Sequence, residues 1–129
     1  MTAREAELDR KVRDWPRTPQ TDPYQAGVEA IAAALRQKLK GREVATAYNE
    51  FCAPTIEEAV ERLIAAGAGA VTVITTMYTR GGVHSETEIP EIVADLRKKH
   101  PEVDLRYAWP FALDKLGGML AEQVALTEK

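Results

Sequence analysis

The chain has 129 residues, 45% hydrophobic and 29% charged, with a formal net charge of −3 and a single cysteine, Cys52. That length fits one domain of ordinary size, and the composition is that of a folded globular protein rather than a disordered one. No apolar run approaches the ~20 residues of a membrane helix, the N-terminus has no apolar leader, and one cysteine supports neither a disulfide framework nor a Cys-rich metal site. No Lys/Arg run points to nucleic acid. The expected compartment is the cytoplasm.

The elements follow in chain order. Residues 3–14 are charged, with Leu8, Val12 and Trp15 at helical spacing, which predicts a short helix with a thin apolar stripe. Pro16, Pro19 and Pro23 then forbid a continuing helix and favour an extended connection. Asp22 is a good N-cap and Pro23 a good first helical residue; Val28, Ile31, Ala32, Leu35 and Leu39 keep a 3.6-residue period, and Gly41 closes that helix. Val44 to Tyr48 reads as a strand. Thr55 and Glu58 form a capping box opening a helix that carries Ile56, Val60, Leu63 and Ile64 on one face, with Gly67 after its end.

Ala70 to Thr76 is rich in β-branched residues on both faces, the pattern of a buried parallel strand. A glycine-bearing loop, Arg80-Gly81-Gly82-Val83-His84, follows. Ser85 or Thr87 is then expected to cap a helix with Ile89, Ile92, Val93 and Leu96 aligned, ending before Pro101. Val103, Leu105, Tyr107 and Trp109 alternate with Asp104, Arg106 and Ala108, which predicts an edge strand stopped by Pro110. Leu113, Leu116, Leu120 and Val124 stripe a last helix, weakened by Gly117-Gly118.

Strands alternating with helices predict an α/β fold with a parallel sheet covered on both faces. Ligands in such sheets bind beyond the carboxyl ends of the strands. Asn49 to Thr55, Met77 to Thr87 and Trp109 to Leu113 lie there, so any chemistry is expected among them. His84 follows two glycines, which let the backbone turn tightly off the strand, and precedes Glu86 and Glu88. It reads either as a metal ligand or as a cap of the following helix. His100, after Lys98-Lys99, reads as a cation at a helix C-terminus. Cys52 reads as a small buried hydrophobe rather than a ligand or nucleophile. Glu50 ends a strand at the active edge and is either functional or solvated. Arg80 could pair an anionic ligand or stand exposed. No phosphate-binding glycine motif and no Gly-x-Ser-x-Gly elbow is present, so nucleotide binding has no sequence support.

The stretch from Met77 to Pro90, with its Gly81-Gly82-Val83-His84 loop and Glu88-Ile89-Pro90, resembles the signature loop of the sirohydrochlorin chelatases. These are the small class II (CbiX-type) cobalto- and ferrochelatases of the cobalamin and sirohaem pathways. Asn49 to Ala59 is similar to the family's strand-to-helix turn, and Val103 to Pro110 to its strand ending in Trp-Pro. The resemblance covers about residues 22–126. It implies a flavodoxin-like three-layer sandwich, a chelatase half-domain over residues 22–129, preceded by an N-terminal helix and Pro-rich connection over 1–21.

It also implies insertion of a divalent metal, Co²⁺ or Fe²⁺, into sirohydrochlorin or a related tetrapyrrole, the metal being substrate and no nucleotide being used. In that family two histidines meet the metal, one after the first strand in a His-Gly motif and one in the Gly-Gly-x-His loop. By residue-level match His84 is the second and the metal ligand. Glu88 takes the place of the acidic residue before Ile-Pro, with Glu86 nearby, and Arg80 and Glu50 are the candidates to hold the tetrapyrrole. A homodimer is implied, standing in for the two halves of longer relatives.

The family's first strand and its His-Gly motif have no counterpart, and no histidine precedes His84. In the family's sheet order, 2-1-3-4, that strand is central. Without it the strands at 44–48 and 70–76 would stand roughly 9–10 Å apart, twice the usual spacing. The expected resolution is a chain that lacks its true start; direct pairing of the flanking strands or a partner chain are the alternatives. The other functional readings are a non-catalytic metal- or tetrapyrrole-binding module derived from a chelatase, and a protein-interaction domain using the charged N-terminal helix.

Overall fold

The structure is a computed structural model that describes residues 2–14, 20–48 and 53–128. The chain forms two compact units, residues 1–66 and 67–129. The first is helical. Helix α1 (Ala3–Arg13) opens on a capping box in which the Thr2 hydroxyl accepts from the Glu5 amide and the Glu5 carboxylate accepts from the Thr2 amide. The Pro-rich connection, residues 15–19, lies outside the described residues. Helix α2 (Pro23–Lys38) starts as predicted, with Asp22 accepting from the Gln25 amide and Pro23 in the first turn, where a missing N–H costs nothing. It ends two residues earlier than expected, at a Leu39 cap, and Gly41 takes up the left-handed backbone beyond it (φ 85°). Helix α3 (Ile56–Ala65) carries the predicted Thr55/Glu58 capping box and buries Ile56, Ala59 and Val60; Gly67 follows its Ala66 cap at φ 105°.

The predicted strand at 44–48 is not formed among the described residues. Two of its backbone groups and two of its hydroxyls bond elsewhere. The Arg36 guanidinium donates to the Val44 carbonyl at 2.7 Å, and the Tyr48 amide donates to the Pro54 carbonyl at 2.9 Å. Glu29 accepts from both the Thr46 and the Tyr48 hydroxyls. A β-rich sequence becomes a strand only with a ladder partner, and these bonds do not form a ladder.

The second unit holds the sheet. Strands β1 (Ala70–Val73) and β2 (Asp104–Tyr107) pair in parallel, with Val71 opposite Leu105 and Val73 opposite Tyr107. Between them in sequence a π-helical turn (His84–Glu88) runs into helix α4 (Ile89–Lys99). Helix α4 packs against β2; its Ile89, Val93 and Leu96 are 2–3% exposed, and Leu105 and Val71 of the strands 4% and 7%. Its Arg97 donates to the Leu105 carbonyl at 3.0 Å. The parallel sheet with crossover helix confirms the α/β class. Three expectations are corrected. Both strands are shorter than their β-rich runs. The face of β1 carrying Ala70 and Thr72 is exposed rather than buried, and Ile74 beyond it is 52% exposed. Neither Ser85 nor Thr87 caps the helix, because helical backbone already begins at Val83 and both lie inside it. Helix α5 (Leu113–Thr127) forms through Gly117-Gly118 and has no buried residue. No helix among the described residues is long and apolar enough to cross a membrane.

Candidate functional site

Beyond the carboxyl end of β1 the chain turns through residues 74–82 into the π turn. The Thr75 hydroxyl accepts from the Met77 amide at 3.0 Å, and Gly81 adopts φ 96°, a conformation a side chain would resist. Gly82 needs no such freedom: its φ is ordinary, and a Cβ there would meet only the Thr79 carbonyl at 3.9 Å. The loop and the turn enclose an open depression of ≈ 440 Å³, lined by residues 76–79, Gly82, His84 and Ser85.

His84 stands at this depression, with its Nδ1 2.7 Å from Glu88 Oε2 one helical step on. Both side chains are 41% exposed, so the pair is reachable by a ligand. Arg80 donates from Nε to Glu86 Oε1 at 2.9 Å. That bond, and after it one from the Gly81 backbone, hold the Glu86 carboxyl below its usual range, so Glu86 is ionised at neutral pH. The loop thus carries one histidine–carboxylate hydrogen bond and one ion pair, from four of the five residues expected to act. The fifth, Glu50, lies outside the described residues, as does Cys52. His100 is the C-cap of α4, with its amide on the Leu96 carbonyl and its Nδ1 3.7 Å from Glu102.

The residue after His84 is the best anchored in the unit. Ser85 is 1% exposed; its hydroxyl donates to the Met77 carbonyl and its own carbonyl accepts from the Tyr107 hydroxyl, each at 2.9 Å. Burial raises the Tyr107 phenol above its ordinary value, so it keeps its proton and remains a donor at neutral pH. The carboxyl end of β2 brings aromatic rings to the same edge. Tyr107 stacks on Trp109 at 6.0 Å, Trp109 meets Phe111 edge-on at 6.1 Å, and Phe111 reaches Tyr78 of the depression at 6.3 Å. Two of the three segments expected at the active edge therefore meet there. Tyr107 and the buried role of Ser85 were not read from the sequence. The available signals were a tyrosine at an inward-facing strand position and Pro90 inside an otherwise helical run. No group of three His, Cys, Asp or Glu side chains forms a metal cage among the described residues.

The sequence matches the CbiX family over residues 20–125, and the chain belongs to that family. It is 28% identical over 78 residues to the sirohydrochlorin ferrochelatase of Priestia megaterium, a match covering 60% of this chain and 29% of that protein. It is 31% identical over 70 residues to the sirohydrochlorin cobaltochelatase of the same organism, covering 54% of this chain and 22% of that one. The matched stretch is under a third of the length of either curated relative. No solved structure matches.

Proposed function

We propose that this chain contributes to metal insertion into sirohydrochlorin or a related tetrapyrrole, with His84 presenting a divalent ion such as Co²⁺ or Fe²⁺. The observation that carries the reading is the His84–Glu88 contact at 2.7 Å beside the open depression. A carboxylate on Nδ1 fixes the imidazole as the tautomer whose lone pair is on Nε2, the arrangement that metal-binding histidines use. Inserting M²⁺ into a free-base ring releases two pyrrole protons, and a nearby solvent-exposed carboxylate can accept them one at a time, passing each to water. Glu88 is the better placed acceptor, since Glu86 is tied to Arg80 and held ionised. We assign Arg80, whose side chain is 64% exposed, to an acidic side arm of the ring, and retain Glu50 as a further contact.

In this reading residues 22–129 are the chelatase half-domain, residues 1–21 an added arm, the working form a cytoplasmic homodimer, and no nucleotide, nucleic acid or membrane takes part. The test is absorbance-monitored insertion of Co²⁺ and of Fe²⁺ into sirohydrochlorin by the chain and by His84→Ala. Insertion by the chain that His84→Ala abolishes is the expected result; equal rates with and without protein refute it. A second reading is a metal- or tetrapyrrole-binding module without turnover, in which His84 holds the ion beside the depression. It predicts Co²⁺ binding without insertion.

A further inference from the structure

Pro90 sits inside the continuous helical run from Val83 to Lys99. In a regular α-helix it could not donate to Glu86, and its ring would press on that carbonyl. The chain answers with the π turn, in which the Ile89 amide reaches back five residues to the His84 carbonyl. This leaves the Ser85 carbonyl in an unusual position. Its α-helical donor, the Ile89 amide, is spent on His84, and its π-helical donor would be residue 90, a proline with no N–H. The group is buried, and a buried carbonyl needs a donor. The Tyr107 hydroxyl supplies it at 2.9 Å, from a ring held by its stack on Trp109.

We propose that Tyr107 is a positioning residue for the His84–Glu88 pair, acting through the Ser85 carbonyl to hold the π turn on which both stand. The inference rests on His84 as the metal-presenting group. It assigns Tyr107 no contact with metal or substrate. A π turn holds one residue more than the α-helical turn it replaces. With Pro90 barring the regular helix, loss of the Tyr107 bond would leave the turn loose rather than convert it, and His84 and Glu88 would lose their fixed place beside the depression.

The test is a four-member cycle in the full chain, with Co²⁺ as the probe: wild type, Tyr107→Phe, Pro90→Ala and the double variant. Phenylalanine keeps the ring and removes only the hydroxyl. Tyr107→Phe should weaken Co²⁺ binding roughly tenfold, as loss of an outer partner of a metal ligand does, and should speed hydrogen exchange at the Ile89 amide. In the Pro90→Ala background the same substitution should change Co²⁺ affinity less than twofold. Residue 90 then has an N–H, and the Ser85 carbonyl finds a helical donor in either the α or the π register. An equal loss in both backgrounds overturns the proposal, since it would mark a general effect of removing the hydroxyl. Wild-type affinity in Tyr107→Phe overturns it as well while leaving the metal assignment intact. A wild-type chain that binds no Co²⁺ contradicts the metal assignment itself, and this inference falls with it.

Discussion

Helices α4 and α5 belong to the same unit and carry similar apolar stripes, yet their fates differ. In α4, Ile89, Val93 and Leu96 are buried to 2–3% exposure against the sheet, and Arg97 adds a bond to the Leu105 carbonyl. In α5, Leu113 is 78% exposed, Leu120 47% and Val124 57%. The period of a stripe sets which face of a helix is apolar, but burial depends on a surface to receive it. The candidate site stands on the anchored element. His84 and Glu88 enter α4 through the π turn, and Ser85 between them is tied to both the loop and β2. Precise side-chain placement needs such rigid support.

The largest expected effect breaks this contrast outright. Leu96→Ala opens a cavity in the α4–sheet core and should lower the free energy of unfolding by about 2–5 kcal/mol, measured by urea denaturation. A loss under about 1 kcal/mol would mean α4 is not the anchor described. Next, Glu88→Gln keeps the shape of the side chain and removes the carboxylate proposed to accept protons. Metal insertion should slow by roughly 10²-fold, the lower end for a general base, with unfolding little changed. In α5, Leu120→Ala should move stability by no more than about 0.5 kcal/mol, as exposed substitutions do; a larger loss would reveal a cover for that helix.

The smallest effect concerns the loop pair. Arg80→Ala removes the main cause of the lowered Glu86 pKa, so that pKa should rise toward 4.5, followed by carboxyl NMR. The sign for stability follows. With the folded-state pKa depressed, the pair's contribution is present above the ordinary carboxylate value and lost as pH falls through the folded one. Wild type should therefore lose stability on acidification slightly more than Arg80→Ala, and an unchanged Glu86 titration would contradict the pairing.

Local signals in the sequence were reliable where they involved only neighbours. The Asp22 cap and the Thr55/Glu58 box act within one turn, and both stand as read. The alternation of 103–109 placed Leu105 inward and Asp104 and Arg106 outward, as observed. The reading weakened where a partner had to be supplied. Val44 to Tyr48 has strand composition but bonds to Arg36, Glu29 and Pro54 instead. The candidate residues Arg80, His84, Glu86 and Glu88 were legible as a group because they are close in sequence, and they pair on one loop. The bond from Tyr107 to Ser85 was not, because it spans 22 positions and depends on a π turn. Pro90 was the hint, since a proline there makes a regular helix through His84 untenable.

The claim on which all this turns is that His84 binds the metal. Calorimetric titration of Co²⁺ into the chain, into His84→Ala and into His100→Ala tests it directly. The account predicts that His84→Ala weakens binding by at least about tenfold, that His100→Ala does not, and that acidification weakens wild-type binding because a protonated imidazole cannot coordinate. Equal Co²⁺ affinity in wild type and His84→Ala would contradict it.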